Sequence, residues 1–298
     1  MTTERSARVL GFVGGSGLYA VDGVEGAERR EIDTPWGPPS GPVVFGEIDG
    51  VPVRFLARHG EGHRLPPAGV NYRANVGAMK RAGVTDLVSI SACGSFRENL
   101  PPGSFVVVDQ FIDRTVHRDN SFFGEGCVAH VSMADPVCPT LAEAAAAACA
   151  ALNIPHASTG TYLCMDGPQF STKAESHLYR SWGCDVIGMT NATEAKLARE
   201  AELPYVTIAM VTDYDCWHEE EEAVEVGRIL EVMRANVDKA KRLVPELARC
   251  LGATRAPSPL GIETCLDHAI ITPPDARDPE LLEKLAAVAG RALKARGS

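Results

Sequence analysis

The chain has 298 residues, of which 45% are hydrophobic, and a formal net charge of −10. The apolar fraction suffices for a substantial core, whereas the acidic excess argues against binding nucleic acid through surplus Lys and Arg. No apolar run approaches the roughly 18 to 20 residues of a membrane span, and the N-terminal residues MTTERSARVL lack the apolar stretch of a signal peptide. We therefore expect a cytoplasmic protein that acts on a small ligand, with no membrane and no nucleic acid as partner.

Nine cysteines are scattered along the chain. Their number is odd, and they include neither a CxxC pair nor a Cys/His cluster at the spacing of a zinc site. The pattern predicts free thiols in packed positions, without a structural metal.

Short apolar runs alternate with helical patterns, which predicts an α/β fold with a mixed, largely parallel central sheet flanked by helices. In the first half of the chain the predicted elements are a buried strand over 8–13, a hairpin of strands 43–48 and 51–57 joined by Asp49-Gly50, a helix over 71–82 that Gly83 ends, and strands over 86–91 and 104–109.

The second half continues the alternation. The predicted strands are 159–164, 186–189 and 205–211, and the predicted helices are 140–152, 172–182, 192–202, 219–251 (one long amphipathic helix or a broken pair) and 279–295. No repeat and no clear linker precede residue 253. We expect one domain over 1–252 and a C-terminal extension over 253–298 whose helix packs on the same domain.

Several predicted strands end in segments rich in Gly, Ser, Thr or His. Ligands of open α/β sheets bind beyond the carboxyl ends of strands, so these segments predict one pocket. The GGSG segment at 14–17 would let backbone N–H groups and the Ser16 hydroxyl approach an anion, with a simple tight turn as the alternative. Arg58 and His59 offer a guanidinium and an imidazole to a phosphate oxygen, although an Arg at such a position is more typical of a surface ion pair.

Two further strand ends add hydroxyl groups. The SACGS segment at 91–95 offers hydroxyls and small-residue amides, with a plain turn as the alternative. Met189 and Thr190, followed by Glu194, stand in a polar loop, where the Met is suited to pack beneath a sugar ring and the Thr to donate to phosphate. Most Met residues instead belong to a core.

Asp213 and Asp215 follow the predicted strand that ends at Val211. If the strand geometry continues, both carboxylates lie on the same side, and their proximity raises one pKa. A carboxyl group that keeps its proton near neutral pH can donate it to a leaving group. A metal site is the alternative, but no third ligand stands nearby at suitable spacing.

A set of motifs occurs in a fixed order along residues 8–250: GGSGL at 14–18, DTPWGPPS at 33–40, ARHG at 57–60, VNYRANV at 70–76, SACGS at 91–95, DQFIDRT at 109–115, GPQFSTKAES at 167–176, GMT at 188–190 and TDYDCWHEEEEAV at 212–224. In these motifs the chain resembles the 5′-methylthioadenosine phosphorylases. The resemblance implies a homotrimeric enzyme of nucleoside phosphorylase fold, without metal or organic cofactor. Its implied reaction converts methylthioadenosine and phosphate to adenine and 5-methylthioribose 1-phosphate.

The resemblance also implies roles for individual residues. The positions that match phosphate contacts of the family are Ser16, Arg58, His59, Ser91, Ala92 and Thr190. Those that match nucleoside contacts are Met189 at the ribose, Phe170 near the base, and Asp213 and Asp215 at the adenine 6-amino group and N7. Val226 and His130 fall where relatives line the 5′-substituent pocket, and Ser171 is a further candidate for specificity.

The carboxylate pair favours adenine over 6-oxopurines, because a carboxylate accepts from a 6-amino group but meets another acceptor in a 6-oxo group. Two departures from the family pattern leave the substrate preference open: MTNATE at 189–194 lacks a proline, and Gln169 replaces a common Arg. A 6-oxopurine nucleoside or 5′-methylthioinosine phosphorylase is therefore the main rival. A dinucleotide-dependent oxidoreductase fits poorly, since GGSG lacks the third glycine of that fingerprint, and a non-catalytic nucleoside-binding protein is a further alternative.

Overall fold

A mixed sheet forms the centre of the computed structural model, which describes residues 6–15, 23–218 and 226–295. The strands of these residues are β1 Ser6–Ala7, β2 Leu10–Gly14, β3 Glu25–Arg30, β4 Val43–Ile48, β5 Val51–Ala57, β6 Asp86–Ser95, β7 Phe105–Val108, β8 Gln110–Asp113, β9 His156–Ala157, β10 Thr161–Cys164, β11 Val186–Gly188, β12 Tyr205–Asp213 and β13 Thr254–Arg255. The α-helices are α1 Tyr72–Arg81, α2 Pro139–Ala151, α3 Lys173–Ser181, α4 Asn191–Glu200, α5 Val226–Leu251 and α6 Pro279–Ala295. The predicted fold class is confirmed.

Four neighbouring strands, β5, β2, β6 and β12, run parallel through the middle of the sheet. Gly14 at the end of β2 lies opposite Ala57 at the end of β5, and Met210 of β12 lies opposite Ala92 of β6. Parallel strands in register end at the same edge of a sheet. The segments that follow these strands are therefore brought together, as ligand sites of this architecture require.

Helices cover both faces of the parallel strands, because successive side chains of a strand point to opposite faces. In β6, Val88 joins an apolar cluster with α2 and α5, while Leu87 joins a second cluster with α1, α4 and α6. Both residues are fully buried. The central strands thus have two covered faces, which explains their nearly continuous apolar sequences.

The hairpin and the first helix follow their local signals. Asp49 and Gly50 between β4 and β5 have φ of 48° and 76°, the left-handed conformation that a tight two-residue hairpin turn needs. The Asn71 side chain accepts from the Ala74 N–H at 3.0 Å and caps the start of α1, and Gly83, with φ of 81°, follows the end of this helix. Both predictions are confirmed.

Strand β6 is longer than the sequence predicted. Residues 92–95 continue the strand, because β12 pairs with Ala92 and Cys93 and β11 pairs with Gly94 and Ser95. The interpretation of SACGS as a plain turn is therefore wrong. The short strand β8 was not predicted, since polar residues begin and end its four-residue sequence QFID.

The C-terminal residues pack on the core. Leu285 and Val288 of α6 are buried in the cluster that also contains residues of α1 and α4. Arg291 donates to both carboxylate oxygens of Glu202, at 2.8 and 2.5 Å. The predicted helix over 279–295 is confirmed, as is the part of the predicted 219–251 helix from residue 226 onward; residues 219–225 lie outside the described residues.

The structure also bears on membrane spans and on the state of the cysteines. Among the described residues, every helix is too short or too polar to cross a bilayer. The nine cysteines are free thiols, and six of them are buried, whereas Cys250 is exposed and Cys216 and Cys265 are half-buried. The prediction of packed positions is thus confirmed for most of them.

Replacing glycine by alanine should have opposite effects on stability at two positions, Gly188 and Gly290. A Cβ on Gly188 of β11 would lie 1.9 Å from the Tyr162 hydroxyl, whereas a Cβ on Gly290 of α6 would meet nothing within 4 Å. We expect Gly188→Ala to lower the free energy of unfolding by about 2 kcal/mol through overpacking, and Gly290→Ala to raise it by about 0.5 to 1 kcal/mol through helix propensity. Urea unfolding of both variants measures this, and equal effects would contradict the packing described.

Candidate active site

A cavity of about 330 Å³ opens at the carboxyl ends of the parallel strands. Many of its lining residues are those singled out from the sequence: Arg58, His59, Ser91, Ala92, Phe170, Met189, Thr190, Asp213 and Asp215. These residues come from distant parts of the chain. The predicted gathering of strand ends into one pocket is thus observed, while the role of each residue stays a prediction.

Four other candidates are not among the described residues that line this cavity. Ser16 lies outside the described residues, and Val226 begins α5 with a side chain that is also outside them. Ser171 lies beside the cavity, where its hydroxyl contacts the Met165 sulfur at 3.7 Å. His130 is exposed, and its backbone N–H donates to Ala269 in the C-terminal extension.

Arg58 forms a buried ion pair. Its Nε donates to Oε1 of Glu194 at 2.5 Å and its Nη2 to Oε2 at 3.1 Å, and both side chains are almost inaccessible. Burial alone would lower the pKa of Arg58, but the charge and hydrogen bonds of Glu194 outweigh it and raise that pKa. The expectation of an ion pair is met, but its placement at the surface was wrong, because β5 ends inside the molecule.

His59 is held as a neutral imidazole. Its Nδ1 lies 2.9 Å from the Leu65 carbonyl oxygen, which can only accept, so Nδ1 carries the proton and Nε2 has a free lone pair. Burial and the neighbouring Arg58 lower the pKa of His59 to about 4. His59 thus presents a hydrogen-bond acceptor at neutral pH, not a cation.

Asn191 connects the hydroxyl groups at the cavity. Its Oδ1 accepts from the Ser91 hydroxyl at 2.7 Å and from Thr190 at 3.4 Å, and its Nδ2 donates to Ser89 at 2.6 Å. Helix α4 begins at Asn191, immediately after Thr190, so its N-terminal N–H groups lie beside the cavity. This end of a helix favours an anion.

Asp213 and Asp215 meet through a turn rather than along a continued strand. Strand β12 ends at Asp213, and Asp215 has φ of 55° and donates its backbone N–H to Oδ1 of Asp213 at 2.8 Å. Both contact the face of Gly94, where a Cβ would lie 3.0 Å from Oδ1 of Asp213 and 3.4 Å from Cβ of Asp215. The assumption of continued strand geometry was wrong, but the carboxylates do lie together.

The two carboxyl groups differ in environment. Burial raises the pKa of Asp215 to about 6, with the charge of Asp213 adding to the rise and the nearby Ser176 hydroxyl opposing it. Oδ2 of Asp213 accepts from the Thr212 hydroxyl at 2.7 Å. The raised pKa of Asp215 suits proton donation near neutral pH.

Arg118 is a residue that sequence reasoning missed. Its side chain is 2% exposed and donates to the carbonyls of Met189 at 2.5 Å, Asp166 at 2.9 Å and Met165 at 3.4 Å. Met165 and Met189 both line the cavity. Arg118 thus fixes two segments of the cavity wall, and no motif signals a contact between a side chain and distant carbonyls.

The apolar end of the cavity was also missed in part. Met210 of β12 and Met233 and Val237 of α5 line it. The helical pattern of α5 predicts an amphipathic helix but not which of its residues reach the cavity.

Comparisons with known proteins agree with the geometry. A family model described as the phosphorylase superfamily matches residues 9–249. A protein of Bradyrhizobium diazoefficiens named S-methyl-5′-thioadenosine phosphorylase is 59% identical over 286 residues, which cover 96% of this chain and 98% of the relative. A protein of the same name from Cereibacter sphaeroides is 57% identical, with 96% and 99% covered.

Solved structures are similar as well. A methylthioadenosine phosphorylase sourced from an antarctic soil metagenomic library has a TM-score of 0.89 and 45% identity, with 95% of this chain and 99% of that chain covered. A methylthioadenosine phosphorylase from Schistosoma mansoni in complex with adenine has a TM-score of 0.79 and 37% identity, with 83% and 92% covered.

The raised pKa of Asp215 predicts a pH-dependent stability. An unfolded Asp titrates near 3.9, so between about pH 4 and 6 the folded chain keeps a proton that the unfolded chain has lost, and stability falls as pH rises. The Asp215→Asn side chain does not titrate, so the variant does not lose this stability as pH rises. Its free energy of unfolding relative to the parent should therefore be about 2 kcal/mol higher at pH 7.5 than at pH 4.

Asp113→Asn is the matched control with the opposite sign. Burial raises the pKa of Asp113, but hydrogen bonds from Lys196 and Thr115 outweigh it and lower that pKa. This carboxylate stabilises the fold above the unfolded pKa, so the Asn variant should lose stability at pH 7.5. Denaturant unfolding at both pH values gives the comparison, and a pH-independent effect of Asp215→Asn would contradict the buried-acid interpretation.

Proposed function

The chain belongs to the phosphorylase superfamily, and from this premise we propose that it cleaves S-methyl-5′-thioadenosine with inorganic phosphate, releasing adenine and 5-methylthioribose 1-phosphate. One observation carries the proposal. A single cavity combines hydroxyls, Arg58 and a helix N-terminus with a carboxyl pair in which the pKa of Asp215 is raised to about 6. A phosphorylase needs both: an anion site for the nucleophile and an acid for the leaving base.

On the anion side, phosphate would lie among Arg58, Ser91, Ala92 and Thr190, with Ser16 as a further contact. The remaining Nη1 hydrogen of Arg58 and the α4 N-terminus supply donors. Nε2 of His59 supplies an acceptor for the proton that phosphate carries near neutral pH. In this proposal phosphate is the co-substrate, and no step requires a metal or an organic cofactor.

In the reaction, a phosphate oxygen forms a bond to C1′ of the ribose as the bond from C1′ to N9 breaks. The electron pair of the broken bond goes to the purine, and Asp215 donates its proton to N7. The sugar becomes positive before the new bond is complete, so the negative phosphate stabilises it. Met189, whose carbonyl is held by Arg118, would support the ribose, and Phe170 at the cavity rim would lie near the base.

The carboxyl pair supports adenine as the base. An ionised Asp213 accepts from a 6-amino group, while a 6-oxo group would place a second acceptor against it. The Schistosoma mansoni relative is described in complex with adenine, which agrees with this choice. A 6-oxopurine nucleoside phosphorylase is the alternative that the assay below tests.

We also propose a homotrimer with residues 253–298 as part of the same folded domain. The buried positions of Leu285 and Val288 support the second statement. His130 is exposed and is not among the residues that line the cavity of its own chain, so in the proposed trimer its side chain would be available to a neighbouring copy. Ser171 and Val226 stay candidates for specificity.

The direct test is to incubate the protein with methylthioadenosine, with and without phosphate, and to identify the released base by chromatography. We expect phosphate-dependent release of adenine, and much slower release of hypoxanthine from methylthioinosine. Asp215→Asn should reduce turnover by about 10² to 10⁴, because an amide cannot transfer the proton. Faster hypoxanthine release, or near-normal turnover of the variant, would contradict the proposal.

Arg118 provides a second test. A lysine ammonium cannot serve three carbonyls as the guanidinium fork does, so Arg118→Lys should loosen the wall that carries Met165 and Met189. We expect the KM for methylthioadenosine to rise about tenfold, equivalent to about 1.4 kcal/mol, with a smaller change in the KM for phosphate.

Arg199→Lys is the matched control. Arg199 is also buried and donates to two carbonyls, those of Ser132 at 2.7 Å and Asp135 at 2.5 Å, but it does not line the cavity. Steady-state kinetics of this variant should show unchanged KM values despite lower thermal stability. Equal kinetic effects of the two substitutions would contradict a positioning role of Arg118.

A further inference from the structure

Glu194 holds the guanidinium of Arg58 from one side. Both carboxylate oxygens engage the Nε and Nη2 edge, at 2.5 and 3.1 Å, and the side chains of the pair are 3% and 2% exposed. Oε2 also accepts from Ser89 at 2.8 Å and from Tyr205 at 3.2 Å. The carboxylate is therefore fixed in place and has a direct electrostatic effect on the cation.

This arrangement leaves Arg58 little to offer an anion. A guanidinium has five N–H groups. Nε and Nη2 are directed at Glu194, Ser89 and the Val13 carbonyl, and Nη1 contacts the Ile90 carbonyl at 3.4 Å. Among the described residues, one N–H of Nη1 has no hydrogen-bond acceptor.

The charge on this side of the cavity is also balanced. Arg58 is the only Lys or Arg among the described lining residues, and the charge of Glu194 opposes it. His59 donates its Nδ1 proton to Leu65, which leaves Nε2 as an acceptor. The described anion side thus combines one compensated cation with neutral donors and acceptors.

We propose that Glu194 sets the affinity for phosphate: its charge weakens the pull of Arg58 on the anion, while its two hydrogen bonds orient the guanidinium. This inference rests on the proposed function. Because Glu194 compensates the charge of Arg58, the bound phosphate faces a smaller net positive charge. Its own negative charge therefore stabilises the positive sugar more strongly. Tighter binding of the ground state, by contrast, would not accelerate the chemical step.

The proposal predicts that a variant without the charge of Glu194 binds phosphate more tightly than the parent. Glu194→Gln keeps the size and one acceptor oxygen of the side chain but removes its charge. Titration calorimetry with inorganic phosphate, without nucleoside, should give a Kd about tenfold lower than that of the parent, because a buried like charge no longer opposes the anion. A residue with only a structural role would weaken binding when changed, so an unchanged or higher Kd overturns the proposal.

Two variants separate charge from packing. Glu194→Asp keeps the charge, so its phosphate Kd should stay above that of Glu194→Gln. Glu202→Gln is the matched control: Glu202 is buried to the same extent and is held by two hydrogen bonds from Arg291, away from the cavity. It should lose stability without any change in phosphate Kd. Tighter phosphate binding in this control would overturn the assignment to Glu194.

A double variant keeps the proposal testable if Glu194→Gln alone does not fold. Arg58→Gln with Glu194→Gln replaces the ion pair by a neutral amide pair and leaves no lone buried charge. If the two charges compensate each other at the site, its phosphate Kd stays within about tenfold of the parent. A larger loss would show that the parent uses the full charge of Arg58 and would overturn the proposal.

The activity of the parent protein distinguishes this inference from the proposed function. Phosphate-dependent adenine release together with weaker phosphate binding by Glu194→Gln rejects the inference alone. Tighter phosphate binding by the variant, in a protein that releases no adenine, rejects the proposed function and retains the role of Glu194.

Discussion

Strand β6 hydrogen-bonds to β2, β11 and β12, and the position of the whole cavity depends on this pairing. Parallel pairing with β2 and β12 aligns the carboxyl ends of these strands, and antiparallel pairing of its last residues with β11 brings Met189 and Thr190 to the same edge. Because both faces of these strands are covered by helices, the strand ends are the accessible part of the sheet. The sheet thus determines where chemistry can occur before any side chain is considered.

The buried network around Glu194 then connects elements that are far apart in sequence. Arg58 follows β5, Ser89 belongs to β6 and Tyr205 begins β12, and all three donate to the one carboxylate on α4. An ion pair in such a place adds little net stability, since desolvation opposes the attraction, but removing one partner leaves a costly lone charge. The network therefore fixes the geometry of the proposed anion side more than it stabilises the fold.

Local sequence signals predicted most helices and strands. The polar segments that follow the predicted strands predicted most of the residues that line the cavity. The Asp49-Gly50 turn and the Asn71 cap act within a few residues, so the sequence reports them directly. The turn that joins Asp213 and Asp215 and the reach of Arg118 across three carbonyls depend on contacts between distant segments. A pattern of residue types shows which groups are present but not which acceptors the fold places before them.

Two carboxyl groups, Asp215 in the cavity wall and Glu194 behind it, illustrate how different surroundings change the properties of the same group. Glu194 lies against a guanidinium and hydroxyl donors, which stabilise its charge. Asp215 lies in a desolvated turn beside another carboxylate, so its pKa rises to about 6. In the proposed reaction, Glu194 would be a fixed negative charge beside the phosphate, and Asp215 would be the proton donor for the leaving base. The two groups differ because the fold pairs Glu194 with a cation, whereas it desolvates Asp215 in a turn beside a second carboxylate.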